Sequence, residues 1–537
     1  MKTLSYFKVA LLSISLLAQL SARAQDPVQQ WVKTFDGPLQ SYDDAQCVAF
    51  DFTDASLVVA ARVYDTEGQV NVAVIKYDAN GEVVWSYIWD GPSSKDDTPW
   101  DIGVSSTGII YVCGQSKTGD GYWESDAFIL ALESDGDYLW EDLYGVIGNF
   151  LDIGYELRVG ADGSVYVAGN EDQGAVNNIY YSGLMLHYTT AGELDWVIQH
   201  NSSTDWAWSD TFRCITLDAS ENVIVGGVTT VLNTGYDCVT ISYGQDEGQN
   251  WLATNPGALN DVSETVFDVI SDLNGNVFAL AQTATDRYEV VKYDVDGNYQ
   301  WTFELVDLAT NATLGNDYMH TDGAGNLYFT VNGSGDIVTT KLDPDGTVVW
   351  QDIWNGAMAL NDEPHQITSD LAGNIYIAGR GGIGNGFYDM VMLSYSPSGE
   401  LLWDINYDGP NSNNDEANGI SVSPDGSTMY VVGMIRGFTA NGDVGVIKYA
   451  NTVDVKETGS NAFGIFPNPG RDVLSVNVSS GIAQKISIYT IEGKLIRQMK
   501  VNTSTMRIDL TDLSEGMYHI TVTYIDGTTQ VEKFAVN

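Results

Sequence analysis

Short runs of alternating apolar and polar residues, rather than helical periods, dominate the chain from about residue 28 onward. Examples are VAVIKYD (72–78), GSVYVAG (163–169) and GNIYIAG (373–379), which are rich in Val, Ile and Tyr and contain or border Gly, Asn or Asp. Runs of this kind predict β-strands separated by turns. No segment of residues 25–450 has a convincing helical period, so we expect an all-β fold.

The strand pattern repeats along the chain. Phrases such as KYDANGEVVW (76–85) and KLDPDGTVVW (341–350) end in a Trp, and this Trp recurs every 49–56 residues from Trp31 to Trp403. Each unit supplies four strands, which we name A to D in chain order. A four-stranded unit repeated eight times predicts a β-propeller. A seven-bladed ring is the alternative if one unit is degenerate.

The phase of the repeat predicts how the ring closes. The chain begins with a D strand at Trp31, and its last unit stops after a C strand near Tyr449 without a Trp of its own. We therefore expect the N-terminal D strand to complete the eighth blade, which removes the exposed sheet edges.

The D-x-D-G segment of the repeated phrase resembles part of a calcium-binding loop. No copy has the full alternation of acidic residues followed by a Glu six residues beyond the Gly, and the copies TTAG and SPSG lack acids altogether. Asn-Gly and Asp-Gly pairs favour hairpin turns with positive φ. The phrase therefore predicts the turn between strands C and D.

The two ends of the chain indicate export. Residues 1–24 have basic residues near the start, an apolar run and an A-x-A sequence, which together predict a secretory signal peptide. The total charge is −48, residues 463–537 are neutral and the first 24 residues carry +3, so residues 25–462 carry −51. Such a body repels nucleic acid and anionic membranes. We predict no transmembrane segment, because no apolar run is long enough.

A polar linker at 451–462 precedes a tail at 463–537 whose alternating runs predict a small β-sandwich. The tail contains FPNP near its start, IEGK after a strand and LSEGMY before the penultimate strand. With these motifs it closely resembles the C-terminal sorting domain of the type IX secretion system of Bacteroidota. The resemblance implies that the chain is secreted or displayed on the outer cell surface, with the secretion machinery as partner. The matching residues are Pro467, Asn468, Pro469, Gly493, Lys494, Gly516, Tyr518 and Lys533.

Residues 28–449 resemble the β-propeller repeats of large secreted bacterial proteins, a resemblance that specifies fold but not activity. The A–B and C–D turns are tight, whereas the B–C and D–A loops, on the opposite face, vary in length. Loops on a rigid scaffold commonly bind ligands. Four Trp residues outside the repeat map to this variable-loop face and could stack on a sugar, or instead cap the core: Trp100, Trp123, Trp206 and Trp208.

Carboxylates recur just before strand A, where they could ring the mouth of the channel and hold calcium or magnesium. Alternatively, each acid bonds the backbone of its own loop. The members are Asp43, Asp97, Asp152, Asp210, Glu264, Asp362 and Asp415, with Leu314 in the sixth unit. A second column follows four residues later: Cys47, Asp101, Glu156, Cys214, Asp268, Tyr318, Gln366 and Gly419.

No motif of a hydrolase triad, zinc protease or phosphate-binding loop is present. The four cysteines do not form a disulfide framework, so we expect free, mostly buried thiols. No cofactor is required, and calcium is a candidate ligand. Three hypotheses follow: a non-catalytic propeller that binds a glycan or another surface polymer, a glycosidase or lyase that uses acids of the channel mouth, and a structural scaffold of the envelope. Whether the chain is an enzyme stays open, with non-catalytic binding preferred.

Overall fold

A computed structural model describes residues 25–39, 41–121, 124–145, 151–172, 181–202, 210–231, 235–255, 264–284, 287–306, 317–358, 360–382, 386–436, 441–451, 463–466, 473–478, 483–490, 495–503, 505–511, 513–514, 516–524 and 529–536. These residues divide into two compact units, Met1–Thr452 and Val453–Asn537. The predicted signal peptide lies outside the described residues.

Eight four-stranded antiparallel sheets make up the first unit, which confirms the eight-bladed propeller. Blades 1 to 7 each contain four consecutive strands, and blade 8 joins three C-terminal strands to the first strand of the chain. The strands are β1 (Val28–Phe35), β2 (Asp44–Asp51), β3 (Ser56–Tyr64), β4 (Val70–Tyr77), β5 (Val83–Trp89), β6 (Asp97–Val104), β7 (Ile110–Lys117), β8 (Ser125–Leu132), β9 (Tyr138–Tyr144), β10 (Ile153–Val159), β11 (Val165–Asp172), β12 (Tyr181–Tyr188), β13 (Leu194–His200), β14 (Thr211–Leu217), β15 (Val223–Val231), β16 (Gly235–Tyr243), β17 (Gln249–Asn255), β18 (Thr265–Ser271), β19 (Val277–Ala284), β20 (Arg287–Tyr293), β21 (Tyr299–Val306), β22 (Met319–Thr321), β23 (Leu327–Gly333), β24 (Asp336–Leu342), β25 (Val348–Trp354), β26 (Glu363–Ser369), β27 (Ile375–Gly382), β28 (Tyr388–Tyr395), β29 (Leu401–Tyr407), β30 (Glu416–Val422), β31 (Thr428–Arg436) and β32 (Gly442–Ala450).

The ring closes as the sequence predicted. Strand β1 pairs antiparallel with β32, from Val28 opposite Ala450 to Phe35 opposite Val444. Blade 8 therefore contains both ends of the propeller, and the pairing satisfies the outer edge of β32.

The repeated Trp phrase is a contact between neighbouring blades. Trp301 donates its Nε1–H to the carbonyl of Pro344 at 3.0 Å, and Lys292 donates to the same oxygen at 2.9 Å. Pro344 belongs to the C–D turn of the next blade, where Gly346 has φ +81° and lies against the Trp301 ring. Asp343 accepts the N–H groups of Asp345 and Thr347 in that turn. Six Trp residues donate in this way to the C–D turn of the next blade: Trp31, Trp85, Trp140, Trp251, Trp301 and Trp350. The repeated sequence thus forms a hairpin, and its acids serve the turn where they are present.

The blades bury their middle strands in the apolar layers between them. Residues of strands B and C, such as Val59, Val112 and Ile377, are fully buried. The four cysteines are free and buried in these layers, as expected.

Two sheets form the second unit. One contains three strands in the order β33-β34-β37 and the other contains four in the order β36-β35-β38-β39, with Leu474, Ile488 and Phe534 in a shared core. This is the predicted β-sandwich. Its strands are β33 (Phe463–Phe466), β34 (Val473–Val478), β35 (Ala483–Thr490), β36 (Leu495–Thr503), β37 (Thr505–Asp509), β38 (Gly516–Tyr524) and β39 (Thr529–Val536).

Candidate functional site

Each inner strand of the propeller carries a β-bulge, with blade 6 as the exception. Seven inner strands shift register around one extra residue, and in blade 6 Asp317 takes the corresponding position with φ +62°. A bulge bends its strand and re-aims a side chain, which is why bulges occur beside binding sites. We call these eight residues the bulge ring: Gln46, Trp100, Tyr155, Arg213, Phe267, Asp317, His365 and Asn418.

Five members of the bulge ring line a cavity of about 330 Å³ around the channel of the propeller: Gln46, Trp100, Asp317, His365 and Asn418. Tyr42, Asp44 and Arg62 add to its wall, which places one opening on the variable-loop face. The members differ from blade to blade, whereas the Trp of strand D recurs from Trp31 to Trp403. The channel therefore presents amide, indole, carboxylate and imidazole groups within one cavity, as ligand sites commonly do.

Aromatic and arginine side chains stack along one side of the channel. The Trp100 and Tyr155 rings meet edge to face with centroids 6.1 Å apart. The guanidinium of Arg213 lies 4.5 Å from the centroid of the Tyr155 ring. Trp100 is half-buried and lines the cavity. Of the four Trp residues predicted to meet a ligand, Trp100 lies at the channel, and the other three, Trp123, Trp206 and Trp208, lie outside the described residues.

Arg158 holds a cluster of acids deeper in the channel. Its guanidinium contacts Glu156, lies 2.8 Å from Asp317 and 3.5 Å from Asp101. Burial raises the pKa of Asp101 to about 7, although Arg158 opposes the shift. Burial also raises the pKa of Glu156 well above its usual range. The channel thus encloses more carboxyl groups than cations and can take up a proton near neutral pH.

The second column of the sequence links the blades through their inner strands. Asp101 Oδ2 accepts the N–H of Leu157 in the next blade at 2.9 Å, and Asp268 Oδ2 accepts that of Met319 at 2.7 Å. Gln366 Oε1 accepts the N–H of Ile420 in the same way, at 2.7 Å. We call Asp101, Asp268 and Gln366 the bridging ring. It satisfies backbone N–H groups beside the bulges, so an amide serves as well as a carboxylate.

A second cluster of charged residues lies at the opening of the cavity. Arg380 donates to Glu363 at 2.7 Å and to Glu416 at 3.1 Å. His365 Nδ1 lies 2.8 Å from the carbonyl oxygen of Ala417, so Nδ1 carries the hydrogen and Nε2 has a free lone pair. Nε2 lies 3.6 Å from a Glu416 oxygen. Burial lowers the pKa of His365, which keeps the imidazole neutral at pH 7.

The predicted carboxylate column lies at the start of the inner strands, where each acid bonds backbone. In Asp43, Asp362 and Asp415, one oxygen accepts the N–H of a glycine six residues earlier and the other accepts an N–H near the end of strand B, at 2.5–2.9 Å. Asp97, Asp152 and Asp210 make contacts of the same kind, and Glu264 is buried at its position. Leu314 lies outside the described residues. This geometry favours the structural role, and a cation at this column stays a prediction.

Parts of the predicted sorting motif lie in the second unit. Tyr518 stacks on Phe534 at 5.7 Å and donates its hydroxyl hydrogen to the carbonyl of Ser514 at 2.8 Å. Gly516 begins β38, and Lys533 is exposed on β39. Pro467, Asn468, Pro469, Gly493 and Lys494 lie outside the described residues.

Apart from Trp100, the sequence did not reveal the bulge ring. Residues that recur in every unit are easy to recognise in a repeat protein. No sequence motif contains His365, Arg213 or Asp317, so these residues are not. A usable signal exists, because the residue immediately before the second column is a different amino acid in each unit. Within a repeat protein, a position that varies from unit to unit is free to serve a ligand.

Comparisons with known proteins match the tail to a described family. Residues 464–537 match the family described as secretion system C-terminal sorting domain. The chain is 23% identical over 252 residues to ulvan lyase NLR42 of Nonlabens ulvanivorans, covering 44% of this chain and 43% of that protein, so it spans less than half of the relative. That alignment extends beyond the sorting domain.

Solved structures also resemble the chain. The WD40 domain of SCAP from fission yeast matches with a TM-score of 0.42 and 10% identity, covering 80% of this chain and 98% of that one. A protein of unknown function from Bacteroides caccae matches with a TM-score of 0.30 and 10% identity, covering 62% and 94%. The described part of this chain contains no helix of the length and apolar character that a membrane crossing needs.

The repeated sheets and the matched tail together establish what kind of protein this is. The chain is an exported β-propeller protein, secreted or held at the outer surface, that carries at residues 464–537 a C-terminal sorting domain of the type IX secretion system.

Proposed function

We propose that the propeller binds a polysaccharide at the channel mouth on its variable-loop face, without cleaving it. The observation that carries this proposal is the bulge ring, because its eight positions carry eight different side chains and five of them line one cavity. Binding sites sit on such irregular positions of a rigid scaffold.

The chemistry of the mouth suits a sugar chain. Trp100 offers a flat aromatic surface, and Tyr42, which is 37% exposed, adds a second ring at the rim. Asp44 is held in a bidentate pair by Arg62, with N–O distances of 2.9 and 2.7 Å. Such fixed carboxylates, together with the amides Gln46 and Asn418, can exchange hydrogen bonds with hydroxyl groups.

The similarity to an ulvan lyase supports a polysaccharide rather than a protein as ligand. The relative is only 23% identical, so the similarity supports a class of ligand and not a particular one. We propose further that the predicted loop residues Trp123, Trp206 and Trp208 extend this surface.

Retention on immobilised polysaccharides tests the proposal. The full chain is passed over ulvan, alginate, laminarin and xylan, first with calcium and then with a chelator. We expect retention on at least one polymer, and at least a tenfold loss of affinity in Trp100→Ala. Tyr299→Ala is the matched control, because Tyr299 is 63% exposed beside a C–D turn on the opposite face. Absence of retention, or equal retention by Trp100→Ala, would overturn the proposal.

Substitutions in the loops and in the carboxylate column extend the same assay. Trp206→Ala and Trp208→Ala should also weaken retention if the loops contribute. Loss of retention in chelator would show that a cation supports binding, and loss of that calcium dependence in Asp43→Asn would assign the cation to the carboxylate column.

A polysaccharide lyase or glycosidase is the second candidate. His365 presents an unprotonated Nε2 near the cavity, and Asp101 has a pKa of about 7, so a base and an acid lie in one channel. Release of soluble oligosaccharide from any polymer of the panel, abolished in His365→Gln, would favour this candidate. If the chain neither binds nor cleaves, the scaffold hypothesis stands.

A further inference from the structure

Three carboxylates meet between blades 7 and 8, apart from the channel. Asp389 is the second residue of β28, Asp408 directly follows β29, and Asp415 directly precedes β30. Each contributes one oxygen, and the three oxygens lie within 4.8 Å of one another. Three negative groups at this separation repel each other unless a proton or a cation lies between them.

Asp389 is the unexplained member of this cluster. It is only 2% exposed, and its Oδ1 is buried without a hydrogen-bond partner in the described part of the chain. A buried carboxylate oxygen with no donor is costly, so its presence calls for a ligand. Burial, followed by the charges of Asp408 and Asp415, raises the pKa of Asp389 to about 7.

The residues that the structure describes supply little positive charge to this place, where the charge of Arg436 only partly opposes the raised pKa of Asp415. Asp415 receives backbone N–H groups from Gly409 at 2.5 Å and Arg436 at 2.7 Å, while the Arg436 guanidinium lies over the Tyr42 ring at 5.6 Å. Neither Asp389 nor Asp415 forms an ion pair among the residues that the structure describes.

We propose that Asp389, Asp408 and Asp415 bind one calcium ion. The donors are all oxygen atoms, which hard divalent cations prefer. The segment between two of the ligands, DGPNSNND (408–415), is rich in Asn and Ser and can supply the carbonyl and amide oxygens that calcium's six to eight ligands require. This site joins the outer strands of blade 7 to the inner strand of blade 8 and is independent of glycan binding.

Neighbouring blades provide matched positions for a test. Blade 1 has Asn71 where blade 7 has Asp389, so the fold accommodates an amide there. In blade 2 the same strand position is Asp126, but Gly145 stands where blade 7 has Asp408. Asp126→Asn therefore makes the same substitution at an equivalent place that lacks the second ligand.

Isothermal titration of the chelator-treated full chain with calcium chloride, at 150 mM sodium chloride, tests the site. We expect one saturable site in the native chain, and at least tenfold weaker binding in both Asp389→Asn and Asp408→Asn. Asp408 is exposed, so its variant stays informative if Asp389→Asn fails to fold. Asp126→Asn should bind as the native chain does.

Several outcomes would overturn the proposal. They are the absence of saturable binding, equal calcium affinity in Asp389→Asn and the native chain, or magnesium chloride binding as tightly as calcium chloride. Equal loss in Asp126→Asn would assign the effect to general surface charge. Asp415 belongs both to this site and to the predicted carboxylate column, whereas Asp389 and Asp408 belong only to this site. A loss confined to the Asp389 and Asp408 variants therefore separates this site from a cation held by the column as a whole.

Discussion

At the scale of one residue, Gly346 shows why the sequence motif that ends in Trp recurs along the chain. A Cβ atom on Gly346 would lie 2.7 Å from the Trp301 ring, and its φ of +81° is strained for any residue with a side chain. Five other turns repeat the arrangement, with Gly81, Gly136, Gly192, Gly297 and Gly399 against Trp31, Trp85, Trp140, Trp251 and Trp350.

Gly346→Ala should therefore destabilise the propeller by about 2–4 kcal/mol, because strain in φ adds to overlap with the indole. Gly68→Ala is the control, since Gly68 has φ +86° and a Cβ there would meet nothing within 4 Å, and it should cost only about 1 kcal/mol. Urea unfolding followed by Trp fluorescence measures both. Equal losses would mean that the indole contact contributes nothing.

One physical reason explains why the sequence predicted the turn glycines but not the residues of the candidate sites. Turn glycines and inter-blade Trp residues follow rules that act locally and recur in every copy, so repetition exposes them. His365 and Asp389 depend on which strands the fold brings together, and no local rule marks them. The acids of the carboxylate column form a visible pattern in the sequence, but only the folded chain shows that their oxygens accept backbone N–H groups.

Strand positions were predictable at the scale of elements because alternation and β-branched residues mark each strand. The bulges were not, because one extra residue leaves the composition of a strand unchanged while shifting every later side chain. The bulges are what place the bulge ring in the channel, so the candidate site depended on the least predictable feature of the inner strands.

The bridging ring makes the association of inner strands depend on pH. Burial raises the pKa of Asp268 to about 7, well above the usual value for Asp. Between about pH 4 and pH 7 the folded state therefore binds a proton that the unfolded chain does not, so stability falls as pH rises through this window. The slope reaches about 1.4 kcal/mol per pH unit for one such proton.

Asp268→Asn should flatten this dependence and stabilise the propeller at pH 8 by about 1–3 kcal/mol, because an amide can still accept the Met319 N–H, as Gln366 does for Ile420. Thermal midpoints between pH 5 and pH 8 measure the effect. Asp345→Asn, on an exposed C–D turn, should leave the pH profile unchanged. A native profile in Asp268→Asn would show that this carboxyl is ionised throughout.

At the scale of the whole molecule, each of the two compact units has its own hydrophobic core. The first unit is a ring of blades, and its N-terminal strand β1 closes that ring. Trp31 and Phe35 pack on the layer between blades 8 and 1, and Val32 packs on the layer between blades 7 and 8. Lys33 adds an exposed ion pair with Glu82 at 2.7 Å. The number of blades could be predicted because the repeats begin with a D strand and end with a C strand, which together complete the eighth blade. The ligand could not be predicted, because the repeated residues specify only the ring.

Removing residues 28–35 should therefore open the ring. It exposes the edge of β32 and uncovers apolar residues worth about 1–3 kcal/mol each when fully buried, so we expect a loss of about 3–6 kcal/mol and self-association through the free edge. Removing residues 453–537 is the matched control, because that unit has its own core and its loss should leave the melting of the propeller unchanged. Calorimetry gives the melting temperature, and size-exclusion chromatography gives the state of association. If the chain without residues 28–35 melts as a monomer at the native temperature, closure by β1 does not stabilise the ring. The stability must then come from the six contacts between Trp and Gly that join neighbouring blades.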